Sequence, residues 1–337
     1  MRVAVIGAGN MGGMHADLLG AMDGVDGLYV VDADEARAEE VARRSGGSGV
    51  GFDEAVQAAE AIVIATPPQL HQSAVEAALD AGLHVLCEKP LTADLASTIA
   101  LVERIEESGA HVEIGFQRRH DAGYIAAREA AGSSRIHLVR LTAHDPLVPR
   151  RPPPTGAAPE VATSFRDSSI HDFDMARWLS RQEVTEVFVE AGRRDGTRPD
   201  DPREIESAVI SMRLSGGSLA VLDQSWLHPA GYDNRVELIT ETVAITAGLS
   251  PSTPSRHADW TTEPEPPWGG YLERYEAAYR AELVAFLACC RGVRPPASSA
   301  RDGLEAMRVA VAATRSHVER RPVALDEIPG LAHREVA

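Results

Sequence analysis

A short β-branched run, Arg2 to Ile6, stops at Gly7-Ala-Gly9-Asn10-Met11-Gly12, and a helical pattern through Met14, Leu18 and Leu19 follows. A glycine-rich turn alone is weak evidence. Flanked by a strand and a helix, with an acid at Asp32 closing the next strand, it restricts the segment to a βαβ unit built around a dinucleotide. Gly7 permits the tight turn, Gly9 lets the backbone approach a pyrophosphate, and Gly12 lets helix and strand pack closely. Asn10 and Met11 head the helix, whose unpaired N–H groups and positive dipole end suit phosphates.

The second strand, Leu28 to Asp32, ends on that acid. A carboxylate there accepts from the adenosine ribose hydroxyls and repels a 2′-phosphate. Asp34 and Glu35 add negative charge, and no serine-arginine pair follows Asp32. NAD is therefore expected over NADP; the structural alternative for Asp32 is a helix N-cap before Glu35. Alternation continues with strands at Ala61–Thr66, His84–Cys87 and His111–Phe116, and helices from about Gln69 to Ala81 and Asp94 to Ser108. Near-continuous apolar strands between amphipathic helices mean a parallel, doubly wound sheet, whose ligands lie beyond the carboxyl ends of its strands. Thr66, Pro67, Glu88, Lys89 and Gln117 all fall at such ends.

Of 33 basic residues, Lys89 is the only lysine. Wherever a surface charge suffices this chain uses arginine, so Lys89 is expected to do something a guanidinium cannot. A compact ammonium can donate to, or exchange a proton with, one substrate oxygen. Chance retention of a last lysine is the bland alternative.

At 337 residues two domains are expected, divided at 1–120 and 121–337. The net charge of −17 disfavours nucleic acid and anionic membranes as partners. Cys87, Cys289 and Cys290 form no CxxC pair, so neither a disulfide framework nor a zinc site is indicated, and no metal is expected. An N-terminus that reaches glycine early does not read as a signal peptide, and no stretch has the length of a membrane span. The expectation is a cytoplasmic protein.

The second half reads differently. Ile136–Leu141, Val184–Glu190, Ala208–Leu214, Leu219–Leu222 and Val236–Ile245 are expected strands with more alternation, and Ser215 to Ser218 a turn between two of them. They imply a large, open, mostly antiparallel sheet in an α+β domain. Arg150 to Pro159 is proline-rich and reads as a loop, and helices are expected at about Tyr271–Cys290 and Arg301–Arg320. In Asp167-Ser-Ser-Ile-His171-Asp-Phe-Asp174-Met-Ala-Arg-Trp178, a helix would place Asp167, His171 and Asp174 on one face. Such a stripe suits a polar ligand, with Asp167 holding the His171 ring and leaving its other nitrogen free to take a proton. Asp172 and Arg177 read as solvated surface residues. The isolated histidines, His15 and His71 among them, carry no such signal.

The ordered set Gly7-x-Gly9-x-x-Gly12, Thr66-Pro67, Glu88-Lys89-Pro90, Gly115-Phe-Gln-Arg-Arg119 and Asp167-x-x-x-His171-Asp172 resembles the Gfo/Idh/MocA oxidoreductases across nearly the whole chain. Ile170 to Leu179, Gly231 to Glu237 and Leu272 to Glu282 are especially similar to the inositol 2-dehydrogenase branch. The resemblance implies a Rossmann domain, reversible NAD-dependent oxidation of a ring hydroxyl of a cyclic polyol or sugar, and a homotetramer or dimer joined through the C-terminal sheets. Carried over, Lys89, Asp167 and His171 would be catalytic, and Gln117, Asp145, Asp174 and Tyr232 would face the substrate. Two departures matter: Ala162-Thr-Ser164 replaces the usual Ser-Gly-Gly, and Trp226 stands where that branch commonly has arginine. The Trp226 indole could stack on the C–H face of a sugar ring. Within the same fold, the rival readings are an NAD-using sugar lyase or glycosidase without net redox change, and a non-catalytic NAD-binding regulator.

Overall fold

The computed structural model describes residues 1–146, 164–193, 195–228, 232–248, 268 and 270–331. The loop expected at Arg150–Pro159 lies outside them. The described residues fall into two compact units that interleave along the chain: Met1–Gln117 with Tyr279–Glu305, and Arg118–Ala278 with Ala306–Pro329. The contiguous division expected at residue 120 does not describe this arrangement, because the last long helices contribute to both units.

In the first unit, β1 (Arg2–Ile6), α1 (Asn10–Gly20), β2 (Gly27–Val31), α2 (Glu35–Ser45), β3 (Ser48–Gly49) and α3 (Phe52–Ala58) are followed by β4 (Ala61–Ile64), α4 (His71–Asp80), β5 (His84–Cys87), α5 (Leu95–Ser108) and β6 (Val112–Ile114). The six strands lie in the order β3-β2-β1-β4-β5-β6 and pair in parallel throughout. All four β4 residues and Val3, Ala4 and Val5 of β1 are wholly excluded from solvent, as strands covered on both faces require. Local sequence sets the helix ends. Asp34 caps α2 by accepting from the Arg37 N–H at 3.2 Å, and Gly46 ends that helix in the left-handed conformation at φ 74°.

The second unit opens with α6 (Ala122–Ala131) and β7 (Ile136–Pro146), then α7 (Ser164–Asp167), α8 (Ile170–Ser180), β8 (Val184–Gly192), β9 (Ser207–Leu214), β10 (Leu219–His228), β11 (Asp233–Thr240) and β12 (Ala244–Ala247). Then come α9 (Tyr271–Cys290), α10 (Ala300–Glu319) and β13 (Val323–Ala324). The seven strands run β12-β11-β7-β10-β9-β8-β13, antiparallel except for the β7–β10 pair. In β9 the buried Ala208, Ile210, Met212 and Leu214 alternate with exposed Ser207, Val209, Ser211 and Arg213. One face of this sheet is covered and the other open, so the expected doubly wound α/β plus α+β architecture is what the chain adopts.

Three local expectations change. The single strand expected at Val236–Ile245 is a hairpin, because the Thr240 hydroxyl accepts from the Thr242 and Val243 N–H groups and turns the chain. β7 and β10 run past their expected ends, which puts Asp145 and Trp226 on strands. Asp167 to Trp178 is not one helix: α7 ends at Asp167, and a two-residue turn precedes α8.

Charge is also buried where surface residues were expected. Asp172 lies 2.6 Å from Arg118, and Arg177 pairs with Glu183 at 2.6 Å. Asp174, expected to face the substrate, is fully enclosed, with Arg119 donating to both of its oxygens at 2.9 and 2.5 Å. Both Asp174 oxygens are thus forked by one guanidinium, which fixes Arg119. Breaking such a pair strands a buried charge, so Asp174→Ala should lose about 3–5 kcal/mol in urea unfolding followed by circular dichroism.

Candidate active site

In the first unit the β1–α1 turn is built from absent side chains. A Cβ on Gly12 would sit 1.7 Å from the Gly7 carbonyl oxygen, and Gly7 itself holds φ 97° with a Cβ position 2.7 Å from the Ala65 oxygen. Around Gly9 a Cβ would meet nothing within 4 Å, so that position is open on a cavity of about 580 Å³. Gly7, Gly9, Asp32, Arg37, Thr66 and Pro67 contribute to its lining. Asn10 and Met11 open α1, whose Gly9 N-cap has no side chain to satisfy the first-turn amides. Those amides are available to a pyrophosphate.

Asp32 is not the N-cap of α2, since Asp34 takes that role. Its Oδ2 accepts from the Ala8 N–H at 2.7 Å, and its Oδ1 from the Asp34 N–H at 2.9 Å and the Arg37 guanidinium at 2.6 Å. Burial raises its pKa, but the Arg37, Asp34 and Ala8 donors outweigh this and hold it below the usual carboxylate value. An ionised, fixed carboxylate at the end of β2 is the acceptor an adenosine ribose needs. These residues fit a bound dinucleotide.

At the carboxyl edge of the same sheet, Thr66, Pro67, Glu88, half-buried Lys89 and Gln117 follow β4, β5 and β6, and the Lys89–Pro90 peptide is cis. Glu88 is buried and hydrogen-bonded to His15 Nε2 at 2.8 Å. Burial works against its ionisation, yet the His15 bond and the charges of His15 and Lys89 keep its pKa below the ordinary value. The His71 ring lies between the Pro90 and Thr66 carbonyls at 2.9 and 2.8 Å, which ties the β4 and β5 edges together. Gln117 donates to the Tyr279 hydroxyl at 3.0 Å, while its buried Oε1 has no hydrogen-bond partner, as is also true of Thr66 Oγ1. Unmet polar atoms of this kind are what a polar ligand would satisfy. His15 and His71, dismissed in the sequence, are thus structural members of this edge. The available signal was the position of His15, one turn past the glycines on α1.

Glu282, on α9 of the same unit, is buried with neither oxygen partnered. Burial, reinforced by the charges of Glu88 and Glu113, pushes its pKa well above the ordinary value, so it is held neutral.

The second unit gathers a separate set. Asp145, on β7, hydrogen-bonds the Ser168 side chain; burial raises its pKa, the Asp167 charge adds to that, and Arg118 opposes it. Asp172 is likewise pushed up to about 6 by burial, against the pull of Arg118. Tyr232 is buried edge-on to Tyr275, with its pKa raised by burial first and by Tyr275 next. Tyr275 and Tyr124 both donate to Asn234 Oδ1, Tyr124 at 2.9 Å. Asp145, Asp167, Tyr232 and the Arg118–Asp172 pair therefore share one electrostatic neighbourhood. His171 is in the first turn of α8, and exposed Asp167 ends α7. Trp226 is half-buried on β10. Of the departures, Ala162 and Thr163 lie outside the described residues. The sequence reading missed Arg118 and Arg119, although both stood inside a quoted motif.

Residues 1–116 match the oxidoreductase family with an NAD-binding Rossmann fold, GFO_IDH_MocA, and residues 129–246 match the GFO/IDH/MocA C-terminal domain. Similar proteins include a myo-inositol dehydrogenase of Streptomyces leeuwenhoekii, 35% identical over 94% of this chain and 97% of that one. A myo-inositol 2-dehydrogenase of Thermotoga maritima is 30% identical over 98% and 100%. The structure also superposes on the crystal structure of a myo-inositol dehydrogenase from Corynebacterium glutamicum at a TM-score of 0.85, with 27% identity over 96% and 98% of the two chains. The chain belongs to the Gfo/Idh/MocA family of oxidoreductases. Its cofactor is NAD.

Two outcomes test these assignments. Gly12→Ala drives a methyl into the Gly7 carbonyl and should abolish measurable NAD binding in calorimetry. Glu282→Gln tests the buried acid. A carboxyl whose folded pKa exceeds its unfolded value costs stability as pH rises through the unfolded value of 4.5, and the cost grows until the folded pKa is reached. In urea unfolding from pH 5 to 8, the Gln variant should therefore gain on wild type as pH rises; a constant difference would mean that Glu282 is ionised.

Proposed function

We propose that this protein oxidises a secondary ring hydroxyl of a cyclic polyol, inositol-like or hexose-like, to the ketone or lactone. The observation that carries the reading is Asp32, an ionised carboxylate fixed at the ribose end of a glycine-built cavity. The dehydrogenase relatives, matched over nearly the whole chain, supply the substrate class. NAD, held by the residues that line this cavity, would supply the hydride acceptor.

The chain's own residues do the rest. Gly7, Gly9 and Gly12, with the α1 amides of Asn10 and Met11, hold the pyrophosphate, and Thr66, Pro67 and Glu88 shape the sheet edge beyond it. His171, oriented by Asp167, takes the hydroxyl proton, and the Lys89 ammonium donates to the same oxygen and stabilises its developing negative charge. Gln117 and Tyr232 offer the ring a carbonyl oxygen and a hydroxyl, Asp145 accepts from ring hydroxyls, and Trp226 gives the C–H face an indole. Asp174 acts indirectly, by fixing Arg119. The open face of the second sheet, with Val209 and Leu219 exposed, is where copies would join as a homotetramer or dimer, and the working compartment is the cytoplasm.

A screen of inositols, aldohexoses and acidic sugars should show NADH absorbance accumulating with at least one of them. Product without net NADH would replace this reading with elimination or glycoside hydrolysis. His171→Ala should lose about 10²–10⁴-fold in kcat with the fold intact. Lys89→Arg keeps the charge but not the compact donor and should also lose turnover; wild-type kcat in that variant would remove Lys89 from the chemistry.

A further inference from the structure

Lys89 follows a residue that is clamped from several sides. The Lys89 backbone N–H donates to Glu88 Oε2 at 3.3 Å, and the other oxygen of that carboxylate, Oε1, accepts from His15 Nε2 at 2.8 Å. An ionised carboxylate only accepts, so Nε2 carries the proton. The Glu88 N–H is bonded to the Ile64 carbonyl, and a Cβ on Gly115 would lie 3.0 Å from Oε2. The carboxylate thus occupies the room that Gly115 leaves beyond β6. His15 is wholly buried, its ring edge-on to Tyr279 with centroids 6.0 Å apart. α1 begins at Asn10, straight after the glycine turn, and His15 lies just over one turn further along. One rigid helix therefore presents open amides at its start and, beyond them, the imidazole that holds Glu88.

We propose that His15 is a positioning residue for the reaction, holding the Lys89 ammonium in its working place through the Glu88 carboxylate. The proposal rests on the dehydrogenase reading above and deepens it, by giving the single lysine a fixed counter-charge. Burial opposes ionisation of Glu88, and the His15 hydrogen bond is the foremost effect that overcomes it. The other groups around the carboxylate replace His15 poorly. Cys87 on β5 and Glu282 on α9 are held neutral by burial, and the His71 ring on α4 is engaged by the Thr66 and Pro90 carbonyls. Lys89 would be left as the main support, so the carboxyl would take up a proton at higher pH than in wild type. Once neutral, it no longer holds the ammonium.

The test uses the full-length protein and the fact that Lys89 is its only lysine. Trinitrobenzenesulfonate then labels Lys89 and the N-terminal amine, which peptide mass spectrometry separates. His15→Leu should label at Lys89 about threefold faster or more, because the ammonium has lost its counter-charge. It should lose about 10–10²-fold in kcat through misplacement of the donor. KM for NAD+ should stay within about twofold. The rise of kcat with pH should begin at higher pH than in wild type. His15→Gln supplies an N–H of similar reach and should restore most of kcat and the wild-type labelling rate. Adding His15→Leu to Glu88→Gln should cost nothing further, since the two act in series. Unchanged labelling and kcat in folded His15→Leu would overturn the proposal. So would a loss that His15→Gln does not rescue, or one that adds in full to that of Glu88→Gln. His15→Asn, whose amide is too short to reach Oε1, serves the same comparison if the leucine variant does not fold. Failure of the dehydrogenase reading would register separately, as wild-type protein that forms no NADH with any polyol, while the labelling comparison needs no substrate.

Discussion

Among the described glycines, Gly12 leaves the least room for a side chain: a methyl group there would overlap the Gly7 carbonyl oxygen. Much else in the first unit depends on that contact. It brings the first turn of α1 against the end of β1, points free amides outward, and leaves Gly9 facing open space. From the same turn the Ala8 N–H reaches the Asp32 carboxylate, so the end of β2 is held to the end of β1 by the acid proposed for the ribose. Backbone packing and the placement of that acid are thus settled by a few neighbouring atoms.

The two units handle acid in contrasting ways. Beside the parallel sheet, Glu88 is kept ionised by an imidazole and an ammonium, while Glu282 gives up its charge for want of any partner. In the second unit Asp172 and Asp145 share the influence of one guanidinium, Arg118, and both lean toward protonation through burial. Buried carboxylates of both kinds are costly unless paired.

What could be read from the sequence was whatever leaves a local periodic or steric mark. The parallel strands were visible because burial on both faces makes them continuously apolar, and the glycine turn because its spacing is stereochemically narrow. Lys89 stood out by its rarity. The pairing of charges across long sequence separations left no such mark. Arg119 and Asp174 are 55 positions apart, and nothing local says that one will enclose the other. Asp172 and Arg177 looked like surface residues for the same reason. The hairpin at Thr240 was missed because an apolar run conceals a turn made by one threonine hydroxyl. His15 and His71 were passed over because a lone histidine carries no pattern.

Helix α9 contributes Tyr279 and Glu282 to the unit that also holds the glycine turn. The partner of Gln117 and the neighbour of Glu88 therefore arrive from a stretch synthesised long after the strands they complete. A fragment ending near residue 120 would carry every glycine of the nucleotide motif and still lack part of its own interior. For anyone recombining such proteins, the stretch Tyr279–Glu305 would have to travel with its original nucleotide half.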